Sequence, residues 1–194
     1  MGKIFYIMGK SASGKDTIYK ELMEKMPKFH SIVPYTTRPM REGEKDGVEY
    51  FFVDQERFDE MMDEEKIIEF RSYNTKCGIW TYFTADDGQI ELWKYDYLVI
   101  GTIESYYALK EYFGDDVMVP LYIEVEDGLR LSRALERERV QTKPQYAELC
   151  RRFLADAEDF SEGNLERAGI KRRFQNIDKE TCMEEILREI NVNL

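Results

Sequence analysis

The stretch Gly9-Lys10-Ser11-Ala12-Ser13-Gly14-Lys15-Asp16-Thr17 constrains this chain more than any other. An apolar run, Ile4-Phe5-Tyr6-Ile7-Met8, precedes it, and a helical pattern, Ile18-Tyr19-Lys20-Glu21-Leu22-Met23, follows. Strand, glycine loop and helix in that order match the phosphate-binding loop G-x-x-x-x-G-K-[S/T] at every position but the last. Glycines let backbone N–H groups curl around an anion, and the helix N-terminus adds partial positive charge. Lys15 supplies a mobile full charge that can follow a phosphoryl group. Where Ser or Thr usually meets magnesium stands Asp16, with a hydroxyl one place later at Thr17. A carboxylate beside a polyphosphate is repulsive unless a cation lies between them, so Asp16 either touches Mg²⁺ or points away. As an acid in the first turn of a helix it is also favourable without any ligand.

The rest of the composition narrows the class. Charged residues make up 35% of the 194, and no apolar run approaches the roughly 20 residues of a membrane span. The first strand begins at once, which leaves no room for a signal peptide. Three cysteines, Cys77, Cys150 and Cys182, lie far apart without metal-ligand spacing, as expected of reduced thiols in a cytoplasm. His30 is the one histidine, which argues against histidine-based catalysis or a His-rich metal site. A net charge of −11 argues against general binding to nucleic acid, whereas a nucleotide needs only a few cations focused in one cleft.

Those cations gather first in a turn-rich loop after Ser31, where Arg38 and Arg41 stand three apart and two guanidinium forks can hold one phosphate. Val33-Pro34-Tyr35-Thr36-Thr37-Arg38-Pro39-Met40-Arg41-Glu42-Gly43-Glu44 through Asp46-Gly47-Val48-Glu49-Tyr50 resembles the guanylate kinase signature S-x-T-T-R-x-x-R-x-G-E-x-x-G-x-x-Y. The resemblance implies that Arg38, Arg41 and Tyr50 hold the phosphate of GMP. Pro34 replaces the signature's serine, so one contact to the guanine edge is lost. Ile67-Ile68-Glu69-Phe70-Arg71 resembles the family's F-[IL]-E-[WYF] strand. In that likeness Glu69 accepts from guanine N1–H and N2–H₂, donors that adenine does not present. The following stretch aligns Tyr82 with a phosphate-binding tyrosine and Thr84 with a guanine-contacting hydroxyl.

Further on, Tyr97-Leu98-Val99-Ile100-Gly101-Thr102-Ile103-Glu104 reads as a buried strand. The corresponding family strand carries two acids near base and metal, and Gly101 and Ile103 occupy their columns here. Glu104 is the nearest carboxylate and the candidate to take over a Mg²⁺ contact, beside Asp16 and Thr17. A helix from Leu129 to Arg139, a polar turn at 141–144 and a helix from Ala147 to Leu154 resemble the family's lid. The likeness makes Arg137, Arg139 and Arg152 the lid arginines, with Arg151 a close competitor, while Arg130 and Arg133 read as salt-bridged helix residues. Asn176, at the end of the last strand, falls where the family binds adenine.

Buried strands alternating with helices after a phosphate loop predict an α/β three-layer fold with a central parallel sheet. The resemblance implies one domain of the P-loop nucleoside monophosphate kinase type. Its core would be 1–32, 94–133 and 157–194, with an inserted GMP-binding subdomain at 33–93 and a lid at 134–156. It further implies transfer of the ATP γ-phosphoryl group to GMP with Mg²⁺, in a cytoplasmic monomer or homodimer without nucleic-acid or membrane partners. ATP contacts would come from Gly9, Ser11, Ala12, Ser13, Gly14, Lys15, Asp16 and Thr17. Two other readings stay open: a kinase for another nucleoside monophosphate or phosphorylated sugar, and a catalytically silent binding module of the same family.

Overall fold

In a computed structural model, which describes residues 1–75 and 78–194, the apolar run Ile4–Met8 forms β1 and leads through the glycine loop into α1 (Lys15–Lys25). Three short strands follow, β2 (His30–Ser31), β3 (Tyr35–Thr36) and β4 (Phe51–Phe52), then α2 (Gln55–Asp63) and the long hairpin β5 (Ile67–Thr75) and β6 (Gly78–Ala85). The second half runs β7 (Tyr97–Ile100), α3 (Ile103–Phe113), β8 (Met118–Glu124), α4 (Asp127–Arg139), α5 (Tyr146–Asp159), α6 (Glu162–Arg167), β9 (Arg173–Gln175) and α7 (Lys179–Asn193).

Strands β2-β7-β1-β8-β9, in that order, make an all-parallel sheet with β1 at its centre. Side chains alternate along a strand, so Ile4, Tyr6 and Met8 pack on one face with Tyr106 and Leu109 of α3 and Leu165 of α6. Phe5 and Ile7 pack on the other with Ile18 and Leu22 of α1 and Cys182, Met183 and Ile186 of α7. Two helical layers on one parallel sheet account for the near-continuous apolar strands. A second sheet, β4-β3-β6-β5, stands apart from the first; its β3–β6 and β5–β6 pairs are antiparallel and β3–β4 is parallel. Its own small core is Phe58, Met61, Phe83 and Ala85.

Several local expectations are corrected. The apolar run from Tyr97 does not continue as strand to Glu104. It stops at Ile100, and Thr102 caps α3 by accepting from the Ser105 N–H at 3.2 Å. Ile103 therefore sits in the core and Glu104 on the exposed first turn of a helix. Helix α6 was not foreseen. Cys77 lies outside the described residues, while Cys150 and Cys182 are free thiols.

Candidate active site

The glycine loop sits at the carboxyl ends of the parallel strands, where such sheets bind ligands. Its curl depends on two left-handed residues, Ala12 at φ 62° and Gly14 at φ 86°. Any side chain at Gly14 would meet Asn176 Nδ2 at 2.4 Å, and one at Gly9 would meet the Ile123 carbonyl at 2.4 Å. Asn176 is buried against the loop and donates to the Ser13 carbonyl at 2.7 Å. The Asn176 carbonyl in turn accepts from Arg133 at 3.0 Å. Ser13 Oγ and Asn176 Oδ1 are both buried without a partner among the described residues.

Lys15 lines a cavity of about 210 Å³ with Gly9, Ser11, Tyr73, Glu104, Asp156 and Asp159. Asp16 is 77% exposed and lies 3.5 Å from Lys15 Nζ. Thr17 is not brought to this cavity; it borders a depression on the outer face of α1 with Lys20, Glu21 and Lys179. Asp156, from α5, accepts from the Ser11 N–H at 2.8 Å and from Arg130 at 2.9 Å. Arg130 is 1% exposed, also bonds Asp127, and packs its guanidinium 4.0 Å from the Phe153 ring centroid. It is salt-bridged, as its spacing suggested, but buried rather than on an open helix face, and it ties the loop to α4 and α5. Burial, with Asp156 and Glu158 near it, raises the Asp159 carboxyl above its ordinary value.

A larger cleft of about 810 Å³ opens between the two sheets. The β5–β6 hairpin supplies one wall, because alternate residues in register face the same side: Glu69 opposite Thr84, Arg71 opposite Tyr82, Tyr73 opposite Trp80. An irregularity in register between Ile67 and Glu69 aims this row. Pro34 and Tyr50 join the wall from the loop, and Gly101, Thr102 and Ser105 from the β7–α3 connection.

At one end of the cleft, Arg38 is 2% exposed and forks onto Glu44 at 2.8 and 2.9 Å. Its guanidinium lies 5.5 Å from the Tyr50 ring and 5.4 Å from the Phe52 ring, and its Nε is buried without a partner. Arg38 holds the Glu44 carboxyl below its ordinary range by donating to it. The Arg41 N–H bonds the same carboxylate while its side chain is exposed. The Tyr50 and Tyr82 rings meet edge to face, centroids 5.6 Å apart. Arg38, Tyr50 and Tyr82, read separately from the sequence, are therefore brought together, with Arg41 beside them.

Further along the same row, Glu69 is buried, with three donors on Oε1 and one on Oε2. It accepts from Thr84 Oγ1 at 2.8 Å, Ser105 Oγ at 3.1 Å and Arg71 at 3.1 and 3.4 Å. Arg71 also donates to Thr102 Oγ1 at 2.7 Å. Tyr6 closes this end from below, donating to the Thr102 carbonyl at 3.1 Å, and burial raises its phenol well above the ordinary value. A Cβ at Gly101 would lie 2.0 Å from the Tyr6 hydroxyl, so the acid expected there has no room. Sequence reasoning missed Arg71, Ser105 and Tyr6. The signal for Arg71 was its position two residues beyond Glu69, on the same strand face.

Of the lid candidates, Arg137 and Arg152 flank a crevice beside Ser11 and Arg130. Arg151 borders the large cleft, bonded to Glu148 at 2.7 and 2.8 Å. Arg139 ends α4, exposed, and lines none of these cavities. Among the described residues no group of His, Cys, Asp and Glu converges as a metal cage. Magnesium seldom uses one: it keeps its waters and takes one or two carboxylates with the substrate phosphates. Glu104 and Asp159, on the wall of the Lys15 cavity, fit that donor set.

Parallel sheet, left-handed glycine loop and a second sheet facing it across a cleft define an α/β phosphate-loop class of fold. Over 98% of the chain, that fold is similar to the crystal structure of guanylate kinase from Anaplasma phagocytophilum, with a TM-score of 0.68, 19% identity and 85% of that chain covered. Within the class the likeness is to guanylate kinases: residues 1–79 match the guanylate kinase family model. A guanylate kinase from Helicobacter hepaticus is 34% identical over 116 residues, 59% of this chain and 56% of that protein. One from Legionella pneumophila is 43% identical over 68 residues, 35% of this chain and 32% of that protein. The matched part thus spans little more than half of the first relative and about a third of the second. The resemblance to guanylate kinases read from the motif residues is borne out over residues 1–79. Among the described residues no helix is long and apolar enough to cross a membrane.

Proposed function

We propose that this chain transfers the γ-phosphoryl group of ATP to a guanine nucleoside monophosphate, giving GDP and ADP from GMP. One observation carries the reading. Lys15 of the phosphate loop borders one cavity, and Tyr50 and Tyr82, with Arg38 packed on the Tyr50 ring, border the next; the two share Tyr73, Gly101 and Thr102. A phosphate loop and an arginine–tyrosine cluster at adjoining cavities suit in-line transfer between two nucleotides.

On this reading residues 33–93 are the acceptor-binding subdomain and 134–156 the lid. The amides of residues 11–15 cradle the donor phosphates, Lys15 follows the transferring group, and Asn176 supports the loop from beneath. Arg137 and Arg152, flanking the loop, neutralise charge on the transferring phosphoryl when α4 and α5 close, with Arg139 and Arg151 at the lid's edges. Glu69 and Thr84 serve the base end. Glu104 and Asp159 on the Lys15 cavity, or Asp16 beside Lys15, would hold Mg²⁺, largely through water. Held there, it would neutralise negative charge on the donor phosphates. No covalent intermediate is needed, because positioning and cations carry the transfer. The test is a coupled assay with ATP and Mg²⁺ across GMP, dGMP, AMP, CMP and UMP. Turnover of GMP is expected; no turnover of any monophosphate would sink the kinase reading.

A further inference from the structure

Glu69 does not offer its carboxylate to the cleft. Arg71 Nη2, Thr84 Oγ1 and Ser105 Oγ donate to its Oε1 and Arg71 Nε to its Oε2, and Glu69 does not line the cleft, whereas Arg71 does. The paired N–H groups of a guanidinium present the same two parallel donors as the N1–H and N2–H₂ edge of guanine. Arg71 therefore stands where that edge would have to bind. Neither acid expected from the β7 connection is present to replace it. Gly101 is held small by the Tyr6 hydroxyl, and Ile103 is buried in the core. Among the described residues lining the cleft the one carboxylate is Glu148, which Arg151 already holds.

What faces the cleft at this end is a guanidinium. Arg71 has five N–H donors. Nε and Nη2 serve Glu69 and Nη1 serves Thr102, which leaves two donors uncommitted. Glu69, Thr102 and the hairpin register fix the plane of the fork. Donors fixed in a plane select a base by its acceptors. A 6-oxopurine offers O6 and N7 side by side, the pair that arginine reads most often in guanine, whereas adenine sets an N6–H₂ donor where O6 would be.

We propose that Arg71, oriented by Glu69 and Thr102, determines base specificity by donating to O6 and N7. The acceptor class is then the 6-oxopurine nucleoside monophosphates, GMP and IMP alike, and the 2-amino group goes unread. This inference rests on the cleft being a monophosphate site, as proposed above.

Calorimetric titration of the whole chain with GMP, IMP and AMP, run beside the coupled turnover assay, tests it. The expected result is GMP and IMP dissociation constants within about threefold of each other and AMP weaker by about 30-fold or more, since adenine would oppose donor to donor. Arg71→Met returns two acceptor sites of Glu69 to the cleft and should shift preference toward GMP over IMP by about tenfold. Arg71→Lys keeps the charge partner of Glu69 and, if the Met variant does not fold, carries the test. It should bind both oxopurines about tenfold more weakly without separating them. GMP bound about tenfold tighter than IMP by the unmodified chain would overturn the inference, as would AMP bound as tightly as IMP. Oxopurines bound in the expected order without phosphoryl transfer would refute the kinase reading alone. Transfer to GMP with IMP excluded would refute this inference alone.

Discussion

Gly101 can be challenged directly, because its smallness is explained by one neighbour. In Gly101→Ala the new Cβ would fall 2.0 Å from Tyr6 Oη and 2.9 Å from Tyr6 Cζ. Tyr6 cannot slide aside. It is fully buried, packs 5.4 Å from the Tyr106 ring, and donates to the Thr102 carbonyl at 3.1 Å. Overpacking of a tight core costs about 1–3 kcal/mol and the displaced hydrogen bond about 1 kcal/mol, so the loss should be about 2–4 kcal/mol. Tyr6→Phe alone should cost about 1 kcal/mol for the lost hydrogen bond. In the double variant the oxygen is gone and only the 2.9 Å approach to Cζ persists. The two losses should then fall short of additivity by about 1–2 kcal/mol. Urea unfolding of the four proteins, compared at constant m-value, measures the cycle. A Gly101→Ala protein within about 0.5 kcal/mol of the parent, or additive losses, would refute the steric account of the missing acid.

Three more outcomes follow from the site. Arg38→Ala should lower both stability and acceptor affinity, because Arg38 is 2% exposed and its loss strands Glu44. Arg41→Ala should raise the KM for GMP by about tenfold with little change in unfolding midpoint, since its side chain is exposed; equal stability losses for the two would contradict the assignment. The Glu44 carboxyl is depressed below its ordinary 4.5 by the hydrogen bond from Arg38. Its stabilising effect is therefore complete above that value and lost as pH falls through the lower folded value. Unfolding midpoints from pH 7 to pH 3 should decline less steeply at the acid end for Glu44→Gln, and parallel curves would disprove the coupling. Finally, burial pushes the Cys182 thiol up to about 11, with Glu185 adding to it, while Cys150 is exposed. Iodoacetamide at neutral pH should alkylate Cys150 and spare Cys182 in the folded protein, as peptide mass spectrometry would show; early labelling of Cys182 would contradict its burial.

Much of the architecture is legible in the residues. Ile4–Met8, the glycine loop and α1 announce themselves because strand, loop and helix each carry their own pattern in unbroken order. The loop after Ser31 is legible through the spacing of Arg38, Arg41 and Tyr50, although nothing in that spacing says that Glu44 would bury Arg38. The β7–α3 boundary is hidden, since an apolar run from Tyr97 to Ile103 has the same composition whether it continues as strand or turns into a helix. Only the cap geometry of Thr102 decides. The base end is the least legible part. Tyr6, Glu69, Arg71, Thr84, Gly101 and Ser105 come from four separate stretches, and their mutual accommodation exists only once two sheets face each other.

The central claim is phosphoryl transfer from ATP to a guanine monophosphate at a site where Lys15 faces the transferring group. Steady-state turnover of GMP by the parent protein and by Lys15→Ala, with and without Mg²⁺, tests it most directly. GMP-dependent ADP formation is expected to require Mg²⁺ and to fall at least about a thousandfold in Lys15→Ala while the unfolding midpoint holds. A retained rate in that variant, or AMP turned over in preference to GMP by the parent, would contradict it.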